Sequence, residues 1–208
     1  TKVVPHGAAD GIFLTTAGVG EVLDSPPPGP GSIQEGDLLI CSGPIGRHGI
    51  AVLAARNDFG FMPAPTSDCA PLCKPLNEMQ QQGIQAVAVR DATRGGLTAV
   101  LHEWAEACGR TLSFYENQLP ITADVRAICE LLGLDPWHLA NEGTFLAAFR
   151  PDVAAQALDF LQNFPQTSQA CVIGEVVKRT FAPVTITRTS GRLMPLDEPA
   201  GAPLPRIC

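Results

Sequence analysis

Apolar positions along this chain recur with two periods, every second residue or every three to four, and the switches between them mark the elements. Residues 2–6 and 12–19 carry short apolar runs that predict strands, joined by Gly7-Ala8-Ala9-Asp10-Gly11, a turn-rich stretch. Residues 24–32 hold too much proline and glycine for either element and read as a linker. Beyond it the pattern predicts a buried strand over 37–41, a helix from 47 to 59, a second helix over 73–82 stopped by Gly83, and a strand over 86–89. Val100, Leu101, Trp104 and Ala105 fall on one face of a helix over 97–108. A strand over 111–115, a helix over 124–132, a short helix over 136–140, a strand over 143–149 and a helix over 153–163 follow. Strands over 172–177, 184–188 and 192–194 close the series. The alternation lacks strict βαβ repetition and shows no internal repeat. It predicts an α/β (α+β) fold, a mixed sheet with helices on at least one face. The tryptophans and phenylalanines sit on apolar faces and are assigned to the core.

Composition sharpens this picture. With 208 residues and 45% hydrophobic content, the chain can build a sizeable core, one large domain or a domain with part of another. The net charge is −7 and no basic run exceeds the pair Lys178-Arg179, which argues against a nucleic-acid or anionic-membrane surface. No apolar stretch approaches the roughly 20 residues of a membrane span. The chain opens on Thr1-Lys2-Val3-Val4, which reads as the interior of a strand and carries no secretion-signal pattern, so a fragment of a larger protein is expected. The seven cysteines are odd in number; Cys41, Cys108 and Cys129 fall in apolar segments, as free thiols of a reducing cytoplasm do. Cys69-x-x-x-Cys73 has no second Cys/His pair at ligand spacing, which disfavours zinc.

Candidate chemistry concentrates in the tail and in three loops. Pro195, Pro199, Pro203 and Pro205 favour an extended arm, and that arm ends in Cys208, a thiol with no backbone beyond it. Such a tip suits a swinging carrier; a disordered terminus that happens to end in cysteine is the alternative. Residues 42–49, Ser42-Gly43-Pro44-Ile45-Gly46-Arg47-His48-Gly49, and residues 91–96, Asp91-Ala92-Thr93-Arg94-Gly95-Gly96, each join a strand to a helix through glycines. Backbone N–H groups at such turns form anion sites. Asp91 is a candidate Mg²⁺ ligand or a turn cap, Arg94 a phosphate clamp or a surface ion pair, and His48 a site residue or a solvated helix opener. In the third loop, Asn141-Glu142-Gly143, Glu142 stands at a strand mouth as a candidate general base or as an ordinary loop acid.

Several of these segments together resemble the HypE family of hydrogenase maturation proteins, within the PurM-like ATP-binding superfamily. The resemblance runs through Gly36-Asp37-Leu38-Leu39-Ile40-Cys41-Ser42-Gly43, Ser67-Asp68-Cys69, Arg90-Asp91-Ala92-Thr93-Arg94-Gly95-Gly96, Ala140-Asn141-Glu142-Gly143 and the terminal Pro205-Arg206-Ile207-Cys208. It implies a PurM-like C-terminal domain at 33–194, preceded by the end of an N-terminal ATP-binding domain at 1–20 and a linker at 21–32, and followed by a tail at 195–208. It implies ATP-dependent dehydration of a carbamoyl group on Cys208 to thiocyanate, with Glu142 as base and Lys2 stabilising developing charge. Asp91, Thr93, Arg94, Gly95, Gly96, Gly46, His48 and Asn141 would line the phosphate or tail channel. Implied cofactors are ATP and Mg²⁺, the main Mg²⁺ ligands lying in the N-terminal domain, with no metal site expected inside this chain. Implied partners are HypF as carbamoyl donor, the HypC–HypD complex as cyanide acceptor for the iron of [NiFe] hydrogenase, and a second copy in a homodimer. Arg47 and Thr144 depart from the acidic and basic residues usual at their positions. The segment alone is expected to be inactive, and a non-catalytic carrier or another PurM-like synthetase or kinase are the competing readings.

Overall fold

A computed structural model describes residues 15, 17–22, 25–57 and 59–198. Seven strands form one sheet: β1 (Leu38–Cys41), β2 (Ala88–Asp91), β3 (Thr111–Tyr115), β4 (Phe145–Phe149), β5 (Cys171–Val177), β6 (Val184–Thr187) and β7 (Leu193–Pro195). Their spatial order is β2-β4-β1-β5-β3-β6-β7. Every pairing is antiparallel except β3 with β6. Five helices accompany it: α1 (Arg47–Asn57), α2 (Cys73–Gln81), α3 (Gly96–Cys108), α4 (Ala123–Leu132) and α5 (Pro151–Leu161).

The sheet is covered on both faces, which is why β4 reads as the unbroken apolar run Phe145-Leu146-Ala147-Ala148-Phe149. Leu146 and Ala148 of β4, with Leu39 and Cys41 of β1, pack beneath α3, which contributes Leu97, Val100, Leu101, Trp104 and Ala105. Phe145, Ala147 and Phe149, with Ile40, point the other way, into Met79 of α2 and Ala154, Ala157 and Leu161 of α5. A smaller cluster of Ile50, Val125, Ile128, Cys129 and Leu139 joins α1 to α4.

Several boundaries differ from the sequence reading. Of the strand expected over 12–19, the described residues, 15 and 17–19, lie outside any strand and are exposed. The first predicted strand, 2–6, lies outside the described residues. The strand predicted over 86–89 is β2, shifted two residues on, because its pairing with β4 sets Asp91 opposite Phe145. The short helix over 136–140 is a single 3₁₀ turn, Pro136–His138, and the Pro-rich linker holds another, Pro30–Ser32. Trp104 and Trp137 are core, but Phe59 and Phe181 are exposed, lying in loops outside the helices and strands.

One buried ion pair ties the linker to the sheet. Asp37 is fully buried, its carboxylate receives Arg150 Nη1 at 2.8 Å on each oxygen, and Gln34 N donates to Oδ2 at 2.8 Å. Arg150 Nη2 also donates to Ser32 O at 3.0 Å. Removing the buried carboxylate leaves the partly buried Arg150 guanidinium and Gln34 N without their acceptor, so Asp37→Ala is expected to lower unfolding stability by about 3 kcal/mol in urea titrations.

Candidate functional site

Sheet register brings the three candidate loops together. Cys41 at the end of β1 pairs with Leu146, and Asp91 at the end of β2 pairs with Phe145. The loops that leave β1 and β2 therefore flank the loop that enters β4. Asn141, fully buried, ties all three. Its Oδ1 accepts from Gly46 N at 2.7 Å, and its Nδ2 donates to Ala92 O at 2.7 Å and to Leu139 O at 3.2 Å. Backbone bonds reinforce the junction: Asn141 N to Ala92 O, Gly49 N to Ala140 O, and Ala92 N to Thr144 O. A buried primary amide is suited to this role because it both donates and accepts.

A fourth segment, which the periodic pattern does not reveal, completes the site. The half-buried Asp68 carboxylate accepts Glu142 N at 3.1 Å on Oδ1 and Gly143 N at 3.0 Å on Oδ2. Thr144 Oγ1 lies 3.1 Å from the same Oδ2 and 3.2 Å from Pro44 O. The segment is held in turn by α1, where Arg47 Nη2 donates to Thr66 Oγ1 at 2.9 Å and His48 Nδ1 lies 3.0 Å from Ser67 Oγ. Beside it opens a cleft of about 280 Å³ lined by Arg47, Asp68, Thr144 and Gln166 among others.

The other predicted residues sit as follows. Glu142 is partly exposed at the junction. Gly95 and Gly96 both adopt left-handed backbone (φ 76° and 61°) and turn the chain into α3, with Gly96 N donating to Thr93 O at 2.9 Å. Gly96 also sits where a side chain would strike Leu139 O at 2.5 Å, so the 91–96 loop and the 136–140 turn meet at van der Waals contact. Asp91 and Arg94 are exposed, and the Asp91 carboxylate lies 3.9 Å from Arg90 Nε. Lys2 and Cys208 lie outside the described residues.

Among the described residues no three acidic, histidine or cysteine side chains converge to hold a metal. The thiols of Cys41, Cys129 and Cys171 are pushed up by burial, to about 12, 11 and 11, which keeps them protonated and closed to nucleophilic or ligand chemistry. Cys69 and Cys73 are exposed.

Two histidines beside the α3 face are depressed below their ordinary value of 6.5, each chiefly by burial: His102, whose Nε2 lies 3.0 Å from Leu196 O, and His138. Between the folded and unfolded values the unfolded chain binds more protons. Their contribution is complete above about pH 7 and is lost as pH falls below 6.5 toward the depressed folded-state values, so denaturant midpoints are expected to drop as pH falls below about 7 and the drop to shrink in His102→Gln.

The description AIR synthase related protein, C-terminal domain, matches residues 34–185. The chain belongs to this family. Its PurM-like sheet and helices also match solved structures of HypE. Carbamoyl dehydratase HypE of Escherichia coli (strain K12) is 42% identical over the whole of this chain, and the HypE of Rhodobacter capsulatus is 40% identical. The chain spans 61% of the length of each of these relatives and fits their C-terminal portion. The crystal structure of E. coli HypE superposes with a TM-score of 0.81 at 41% identity, over 86% of this chain and 55% of that one. A HypE in complex with ATP gives 0.80 at 31% identity, over 87% of this chain and 55% of that one. A HypE–HypF complex gives 0.77 at 34%, over 82% and 55%. Among the described residues, no helix is long and apolar enough to cross a membrane.

Proposed function

We propose that this chain is the C-terminal part of an ATP-dependent carbamoyl dehydratase of hydrogenase maturation, in which Cys208 receives a carbamoyl group from HypF, holds it through dehydration to a cysteine-bound thiocyanate, and passes on the cyanide. The observation that carries this reading is the convergence of four loop segments on the backbone of Glu142, an acid fixed at the junction by Asn141 on one side and Asp68 on the other. Rigid placement of the main chain that carries one carboxylate suits proton removal from a small planar group better than it suits a passive carrier.

Forming S–C≡N from S–C(=O)–NH₂ removes the carbonyl oxygen and both nitrogen protons. ATP, when bound, supplies the phosphoryl group that converts that oxygen into a leaving phosphate. Glu142 accepts one nitrogen proton as the carbon–nitrogen multiple bond forms, the second leaves with the departing phosphate, and Lys2 neutralises charge developing at the oxygen. The backbone of the Thr93–Gly96 turn and the exposed Arg94 would face the phosphates. For Mg²⁺ the described side chains offer no converging set, and no step is assigned to them through that ion. The carbamoyl donor HypF, the HypC–HypD acceptor, the homodimer and the domain limits at 20, 32 and 194 belong to the same proposal, as does the inactivity of this segment by itself.

Intact-mass analysis after incubation with HypF, carbamoyl phosphate and ATP tests it, beside a Cys208→Ala control. The expected result is one carbamoyl adduct that depends on Cys208 and, in the full-length protein, loses water when ATP is present. An adduct on Cys208 that never dehydrates in the full-length protein would reduce the chain to a carrier. ATP turnover that is indifferent to Cys208 would place it with other PurM-like enzymes.

A further inference from the structure

We propose that Asp68 is a positioning residue for dehydration, acting through the main chain of Glu142; this rests on the reading of Glu142 as the base. The argument begins with the donors that Asp68 satisfies. Glu142 N and Gly143 N enter β4 before its ladder starts, so no strand partner accepts from them. Asp68 takes one on each carboxylate oxygen, at 3.1 and 3.0 Å, across a sequence separation of more than seventy residues. A carboxylate holding two successive N–H groups fixes the plane of the peptide between them, and that peptide begins at the Glu142 Cα. On the preceding side the chain is already immobile, because Asn141 is fully buried and bonded to Ala92 through both side chain and backbone.

The grip is itself supported. Thr144 Oγ1 lies 3.1 Å from Asp68 Oδ2, and Gly143 allows the Asp68 main chain to press against it so closely that a Cβ would lie 1.8 Å from Asp68 O. Ser67 Oγ accepts Cys69 N at 3.0 Å and faces His48 Nδ1, which fixes the turn that presents the carboxylate. With both oxygens engaged by the chain, Asp68 is arranged to hold backbone in place.

The test is a double-mutant cycle in the full-length protein carrying this chain, with Cys208 loaded first and dehydration then followed by intact mass. Asp68→Asn keeps the shape, but it turns an NH₂ toward a backbone N–H. Dehydration is expected to slow about 10- to 100-fold, with the KM for ATP and the rate of carbamoyl loading unchanged. Glu142→Gln is expected to slow dehydration about 100-fold or more. In the Glu142→Gln background, Asp68→Asn should have no further effect, because its influence runs through the missing base. Thr144→Val, which removes only the outer support, should slow dehydration a few-fold and stands in if Asp68→Asn does not fold. Equal losses in loading and dehydration, or a full additional loss in the Glu142→Gln background, would overturn the role given to Asp68. An unchanged rate in Glu142→Gln would instead sink the assignment of the base.

Discussion

Gly143→Ala will leave the protein strongly destabilised, by about 3 kcal/mol or more, although only one methyl group is added. The cause is space, since Gly143 is not among the glycines with left-handed backbone. Its added Cβ would lie 1.8 Å from Asp68 O, 2.8 Å from Asp68 C and 3.2 Å from Ala70 N. All three are main-chain atoms, so no rotamer change relieves the overlap, and the 66–70 segment must move by more than an ångström. That movement also separates Asp68 from the Glu142 and Gly143 N–H groups, each of which then loses its acceptor at a cost of about 1–3 kcal/mol if water does not replace it. Thermal and urea melts check the stability, and hydrogen exchange at 142 and 143 checks the separation. Gly83→Ala is a useful contrast: there nothing lies within 4 Å of the new methyl, and the cost is limited to the strained φ of 71°. A Gly143→Ala protein as stable as Gly83→Ala would contradict the close approach.

Asn141→Ala is expected to cost a comparable amount, about 4 kcal/mol, for a different reason. The side chain serves one donor, Gly46 N, and two acceptors, Ala92 O and Leu139 O, in a fully buried position. Truncation orphans Gly46 N and Leu139 O and leaves Ala92 O with only the main-chain N–H of residue 141, and orphaned buried groups are costlier than the bonds were worth. Asn141→Asp separates hydrogen bonding from volume: it can still accept from Gly46 N, but it turns an oxygen toward two carbonyls and should be at least as damaging. If instead Asn141→Asp matches the parent in urea midpoint, the tie between the loops is not what holds them.

The residues also explain how far the sequence could be read. β1, β3 and α3 were legible because their apolar spacing matches the burial directly, as with Leu97, Val100, Leu101 and Trp104. The position of β2 was not, because Ala86-Val87-Ala88-Val89 is more apolar than the true strand, whose last two residues are charged, and only the partner β4 decides that Arg90 and Asp91 belong to it. The short helix over 136–140 was overcalled because one 3₁₀ turn and one helical turn share the same apolar spacing. At the site, the glycine loops and Glu142 stand out locally. Asn141, however, read as a lining residue, and its role as the tie is invisible without Gly46 and Ala92 in view. Asp68 carries no local signal beyond its place in the Ser67-Asp68-Cys69 motif, since both its acceptor contacts lie far along the chain.

The Asn141 tie has a kinetic consequence. It joins residues 95 and 49 positions apart in sequence, so it cannot close until β1, β2 and β4 have met. Contacts of such long range carry the largest loop-closure entropy and form after the strands that make them possible. The junction is therefore among the last parts of the molecule to assemble during folding and among the first to open during unfolding. Substitutions there should accelerate unfolding while leaving the refolding rate almost untouched. A newly made chain would pass through a state with its sheet complete and its reactive mouth unformed, a natural interval of silence before the chemistry begins.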